Sequence, residues 1–148
     1  MEFQREHAEA WRELVLVSIA LGEALDRQSR RDAGMPHSYY AALVALAEEP
    51  DRELRMGELA ARAGLSRSRL AHAVASMEAS GWVEREPAPE DGRGAVARLT
   101  DAGHEAVVRI GRRQRDVLRA PALAGLDARE AAELARALAG IRSRLPAD

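Results

Sequence analysis

Between residues 3 and about 31 apolar side chains recur at helical spacing: Trp11, Leu14, Ser18, Leu21 and Leu25 share one face. Val15, Val17 and Ile19 widen that face until the helix needs cover on more than one side, and a second molecule is the expected cover. Arg30, Arg31, Asp32 and Gly34 end it. A second helix is expected over about 36–48, with Pro36 in its first turn and Leu43, Val44 and Leu46 inside. Glu49, Pro50 and Asp51 break it, and 52–55 offer a short strand. Met56 to Ala63 reads as a helix closed by Gly64, which can take the left-handed conformation that starts a tight turn. Ser66 is a good N-cap for the next helix, which ends near Gly81. Leu70, Val74 and Met77 fall at i, i+4 and i+7 along its buried stripe. Trp82 to Glu86 and Ala95 to Leu99 alternate as strands around a loop rich in Pro, Gly and charge. Thr100 caps a fifth helix over about 101–119, carrying Val107, Ile110, Val117 and Leu118 and stopped by Pro121. Asp127 and Glu130 form a capping box for the last helix, with Leu126 set to staple on Ala131. Leu134, Leu138, Ile141 and Leu145 are its apolar stripe.

Helix, tight turn, helix and hairpin, in that order, predict a winged helix-turn-helix. The expected fold is mainly α with a small β-hairpin wing (α+β), as one domain over 1–148. Residues 35–100 would be the winged DNA-binding region, and 1–34 with 101–148 a helical dimerisation region. The apolar excess of the terminal helices predicts a two-fold homodimer. Two reading helices roughly 34 Å apart would then match a near-palindrome.

The polar side of the second reader helix carries the candidate chemistry. Arg67, Ser68, Arg69, His72 and Ser76 share it, without an acid. Arginine can bind guanine bidentately, and Ser or His can meet base edges or phosphates. Ser66 would cap the helix and could touch a phosphate. Arg93, at the hairpin tip between two glycines, is placed to enter a narrow A·T-rich minor groove. Asp91 would hold that tip by pairing with a nearby arginine. For Arg55 a phosphate contact and a surface ion pair stand equal. A second cluster, Trp11, His37, Tyr39 and Tyr40, is expected near the junction of the first two helices. It could hold an aromatic or anionic ligand by stacking and hydrogen bonding; ordinary packing, or His37 and Ser38 against the DNA backbone, is the simpler reading.

Composition narrows the classes. The 148 residues carry a net charge of −2, so any nucleic-acid site must be a local basic face. All 22 basic residues are arginine. Hydrophobic residues make up 47%, enough for a core, but aromatics are only 3%, so packing rests on Ala, Leu and Val. Absence of cysteine removes disulfides, thiolate zinc sites and thiol redox sensing. His7, His37, His72 and His104 have no metal-ligand spacing, and neither a metal nor a cofactor is expected. Glu48 and Glu49 point apart on a helix, Ser66 lacks a nucleophile elbow, and no glycine run resembles a phosphate loop, so an enzyme is not expected. No signal pattern or membrane-spanning run appears, which predicts a soluble cytoplasmic chain.

The stretches ELAARAGLSRSRLAHAVASMEASGWVER and PEDGRGAVARLTDAGHEAV resemble the MarR family of transcription regulators (multiple antibiotic resistance regulators). The Asp91-x-Arg93 pair and the Leu99-Thr100-x-x-Gly103 junction carry the likeness, and the helix order extends it over nearly the full length. The resemblance implies an obligate, triangular homodimer with recognition helices in successive major grooves and wing arginines in flanking minor grooves. Arg93 would take the wing role, and Arg67, Ser68, Arg69 and His72 the recognition-helix positions. It also implies a repressor, relieved in many members by a small aromatic or anionic ligand between dimer arm and reader. The chain departs from the family pattern at Gly92, where Arg or Lys is frequent, and at Gly94, so the wing carries one fewer charge. Two other readings are a winged-helix protein-interaction module, using the hairpin and acidic segment 35–51, and a DNA-binding regulator with no small-molecule effector.

Overall fold

The structure is a computed structural model that describes residues 4–88 and 94–145. It divides into two compact units, residues 1–114 and 115–148. The first unit contains α1 (Arg5–Ala33), α2 (His37–Ala47), β1 (Glu53–Arg55), α3 (Met56–Ala63), α4 (Arg67–Ala79), β2 (Val83–Pro87), β3 (Ala95–Leu99) and α5 (Asp101–Gln114). The mainly helical architecture with a small antiparallel sheet agrees with the sequence reading, helix-turn-helix and hairpin included.

The three strands lie in the order β1-β3-β2, all antiparallel. Leu54 and Arg85 both pair with Ala97, so the short strand expected at 52–55 joins the hairpin. Arg98 on β3 donates to Glu53 on β1 (2.8 Å) and lies 3.7 Å from Glu86 on β2, tying the three strands across one face. α3 and α4 pack through Leu59, Ala60 and Leu70, all buried with Leu43, Leu46, Val74, Met77, Val83, Ala97 and Leu99 in the main core. Gly64 makes the turn between them at φ 65°, and the Leu65 N–H donates to Ala60 O at 2.9 Å. A β-carbon is unfavourable at that φ, which is why glycine stands there.

α5 is docked by the Leu-Thr-x-x-Gly junction. Thr100 Oγ1 donates to Gly81 O (2.7 Å) and accepts from the Gly103 N–H (3.0 Å), while the Thr100 N–H donates to Trp82 O (3.0 Å). Trp82 therefore precedes β2 instead of opening it as expected, its carbonyl turned to this junction. Tyr40, Ala106 and Ile110 form a second small core where α5 meets α2, with Trp82 and Val107 packed on it.

Two further expected boundaries move. Pro36 is the N-cap of α2, extended at ψ 150°, not part of its first turn. Proline has no side-chain acceptor, so the cap comes from another helix: Asp26 Oδ1 on α1 accepts from the His37 N–H at 3.0 Å. The fifth α-helix stops at Gln114 and does not reach 119. In the second unit a π-helical turn, Arg115–Arg119, precedes α6 (Ala120–Leu123), and Pro121 sits in the first turn of α6. Proline lacks the N–H of a regular helix and its ring clashes with the carbonyl four residues earlier, which disfavours a continuous α register. α7 (Ala128–Arg142) starts with the expected capping box, Asp127 Oδ1 accepting from the Glu130 N–H at 2.8 Å and Glu130 Oε2 from the Asp127 N–H at 2.9 Å. Among the described residues no helix is long and apolar enough to cross a membrane.

Candidate nucleic-acid interface

α4 is anchored on one side and open on the other. Leu70, Ala73, Val74 and Met77 are buried, at the spacing that faces a helix into the core. Ser66 is its N-cap, and Ser66 Oγ accepts from the Arg69 N–H at 3.2 Å. Arg67, Ser68, Arg69, His72 and Ser76 are all exposed. The one acid of the helix, Glu78, stands near its C-terminal end, half-buried, with Arg85 of β2 3.7 Å away. That pairing keeps negative charge off the open face, which presents two guanidinium groups, an imidazole and hydroxyls.

The base of the hairpin adjoins the start of this helix. Arg55, Met56, Gly57, Glu58, Arg67, Leu70, Gly94 and Ala95 line a groove of about 430 Å³. Arg55 is both the last residue of β1 and the N-cap of α3, so one backbone position joins sheet to reader. Arg67 and Gly94 share the groove, which places the foot of the wing beside the first turn of α4. Asp91, Gly92 and Arg93 lie outside the described residues.

The second expected cluster is only partly assembled. His37 and Tyr40 face one another with ring centroids 5.8 Å apart, and Tyr40 Oη donates to Val107 O at 3.3 Å. Tyr39 packs on the main core. Trp11 is 54% exposed and lies on α1 fifteen residues before Asp26, about 22 Å along the axis, so it does not join the other three. Around His37 the structure instead gathers residues that the sequence reading did not single out. His37 Nδ1 lies 3.2 Å from Ser29 Oγ on α1 and 3.3 Å from Gln114 Nε2 on α5. Gln114 Nε2 also donates to Ser29 Oγ at 3.3 Å. Ser29 and Gln114 are fully buried, so each needs the partners it has here. Because the Gln114 amide is a donor, the His37 Nδ1 it faces acts as acceptor. Asp26, which holds the His37 backbone, also accepts from Arg30 Nε at 2.7 Å. The Arg30 hydrogen bond first, and that of the His37 N–H second, hold its carboxyl below the usual carboxylate range. One signal did exist in the sequence: the α1 stripe through Leu21 and Leu25 turns polar at Gln28, Ser29 and Asp32, where apolar residues would continue it.

A model of the MarR family matches residues 33–94, from the end of α1 to the end of the wing loop. The chain is similar over its whole length to Sco3205, a MarR family transcriptional regulator of Streptomyces coelicolor whose crystal structure holds DNA. Identity is 41%, the TM-score is 0.87, and 92% of that chain is covered. It is also similar to PcaV, a transcriptional regulator of the same organism crystallised with its natural ligand. There identity is 28% and the TM-score 0.72, over 86% of this chain and 90% of that one. The transcriptional repressor MprA of Escherichia coli is 29% identical over 72 residues, which are 49% of this chain and 41% of MprA. Family model, full-length likeness and the geometry of α3, α4 and the wing agree: the chain belongs to the MarR family of transcriptional regulators.

Proposed function

We propose that this protein is a sequence-specific DNA-binding regulator that acts as a homodimer and represses transcription from a near-palindromic operator. One observation carries the reading: α4 is held by its buried stripe and its Ser66 cap while its open face carries Arg67, Arg69 and His72 with no acid. Such a face suits a major groove. The roles assigned are base or phosphate contact for Arg67, Ser68, Arg69, His72 and Ser76, phosphate contact for Ser66 and Arg55, and minor-groove entry for Arg93 with Asp91 as its support. The DNA held by Sco3205 supports the partner, and the MprA likeness supports repression. Dimerisation is supported by the uncovered apolar positions of α1, among them Trp11, Val17 and Ile19. The test is fluorescence anisotropy against duplexes from the protein's own upstream region at two salt concentrations. A complex on one near-palindromic segment that weakens steeply with salt is expected. Weak binding, equal on all duplexes, would remove sequence specificity. Salt-independent capture of a protein would favour the interaction-module reading.

A small aromatic or anionic effector is a second reading, favoured by one observation. His37 and Tyr40 sit where α1, α2 and α5 meet, so a ligand there would touch the flanking helices together with α2, which packs on α3. The ligand held by PcaV is the parallel. Aromatic acids that raise the melting temperature and release operator DNA would support it. A flat response across the series would leave an effector-independent regulator.

A further inference from the structure

The outermost line of α4 is not occupied by its arginines. At about 100° per residue, the buried Leu70, Ala73, Val74 and Met77 define an inner direction, and the opposite line runs through Ser68, His72 and Ala75. Arg67 and Arg69 flank that line on its two sides. Ala71 lies on the Arg67 flank next to Ala75, and both alanines are exposed. Neither contributes to the core. An α4 pressed into a major groove would therefore bring the methyl group of Ala75 to the floor beside Ser68 and His72, with that of Ala71 on the flank next to it.

The groove floor offers one apolar group, the C5-methyl of thymine. The face has no Asn or Gln to bind adenine bidentately and no Asp or Glu to accept from the cytosine amino group. Its hydroxyls and imidazole can meet more than one base, the arginines suit guanine, and the alanines offer only an apolar contact, which on the groove floor is the thymine methyl. We infer that Ala71 and Ala75 of α4 are specificity residues that read thymine through its C5-methyl group.

This rests on the DNA-binding reading above and adds to it which bases the helix selects. The small side chains of Ala71 and Ala75 also leave room on that side for the backbone of α4 to lie deep, so that the flanking guanidinium groups can reach base edges. A larger residue at 75 would hold the helix away from the floor.

The test begins with the full-length protein and a duplex selected from a random library at fixed salt. Each thymine of the selected site is then replaced by deoxyuridine, which removes only the methyl group and keeps the pairing with adenine. At one or two thymines per half-site, affinity should fall about fourfold, the worth of one buried CH2-sized group. The salt dependence should not change, because no phosphate contact is lost. Ala75→Gly or Ala71→Gly should bind the thymine and deoxyuridine forms equally at the matching position. The deoxyuridine series uses unaltered protein, so it can overturn the inference even if a glycine variant unfolds. Deoxyuridine tolerated at every position of a tightly bound site would overturn the inference and leave the DNA-binding reading standing. A deoxyuridine penalty that both glycine variants retain would overturn the assignment to these alanines. Selection of no duplex at all would overturn the DNA-binding reading, and the inference with it.

Discussion

A β-carbon at Gly103 would fall 2.1 Å from the carbonyl oxygen of Trp82 and 2.7 Å from Leu99 Cδ1. Backbone cannot yield as a flexible side-chain end can, so the glycine is required by proximity. Gly103→Ala should destabilise the fold by about 1–3 kcal/mol, the usual cost of overpacking, read as a lower urea midpoint at unchanged slope. An unchanged midpoint would mean that α5 can slide off the junction freely. Asp26 offers a test of charge at the same scale. Its carboxyl is held below the usual range, so the ionised form is favoured in the folded state. Its contribution is therefore present above the unfolded value and lost as pH falls through the lower folded one, a window below about pH 4. Asp26→Asn keeps an acceptor for the His37 N–H but loses the charge beside Arg30. The stability gap between wild type and this variant should close as pH is lowered through that window. A gap that stays constant would assign the effect to hydrogen bonding alone.

The reader helix is where element-scale predictions belong. Arg67→Ala or Arg69→Ala should each weaken operator binding by about 1–3 kcal/mol if the side chain reads a base, and relax specificity at one position. A uniform loss on all sequences with a shallower salt slope would assign that arginine to phosphate instead. Ser66→Ala removes the acceptor for the Arg69 N–H, and a lost cap of this kind costs about 0.5–2 kcal/mol of stability. At this scale most of the structure was legible in the sequence, because each signal acts within a few residues. The Ser66 cap, the Gly64 turn, the stripe of Leu70, Val74 and Met77 and the Asp127–Glu130 box are all local devices. Pro36 and the end of α5 were misplaced for the complementary reason. The acceptor that caps α2 belongs to Asp26, eleven residues back, and the π-helical turn before α6 leaves the apolar spacing of Val117 and Leu118 unchanged.

For the molecule as a whole, the question is what covers the apolar surface. Val17 and Ile19 are each 56% exposed on α1, and in α7 Leu134 and Leu138 are 41% and 42% exposed. In the proposed homodimer a second copy buries such positions. Val17→Asp combined with Ile19→Asp should therefore give a monomer by light scattering, with α-helical circular dichroism largely retained and operator affinity lost. A variant that remains dimeric would move the interface off α1. Of the candidate site, the α4 face was readable because it sits on one helix. The buried partners of His37 were not: Ser29 and Gln114 are 85 residues apart in the chain, and no periodicity relates them. Trp11 is the converse case: it shares aromatic chemistry with His37, Tyr39 and Tyr40, but the length of α1 carries it away from His37.

The joint between β1 and α3 has a consequence for how this chain can vary. Arg55 ends the strand and Met56 begins the helix, with no residue between them. β1 is in turn locked to β3 in register, Arg55 opposite Val96. One inserted residue here would rotate α3 by roughly 100° about its axis, or would swap the two faces of β1. Either change would turn Leu59 or Leu54 out of the core. Length changes in relatives should thus be absent between positions 53 and 59 and should collect in connections free of such a lock, such as 124–127 between α6 and α7. The joint acts as a ruler: it sets the spacing between wing and reader by residue count alone.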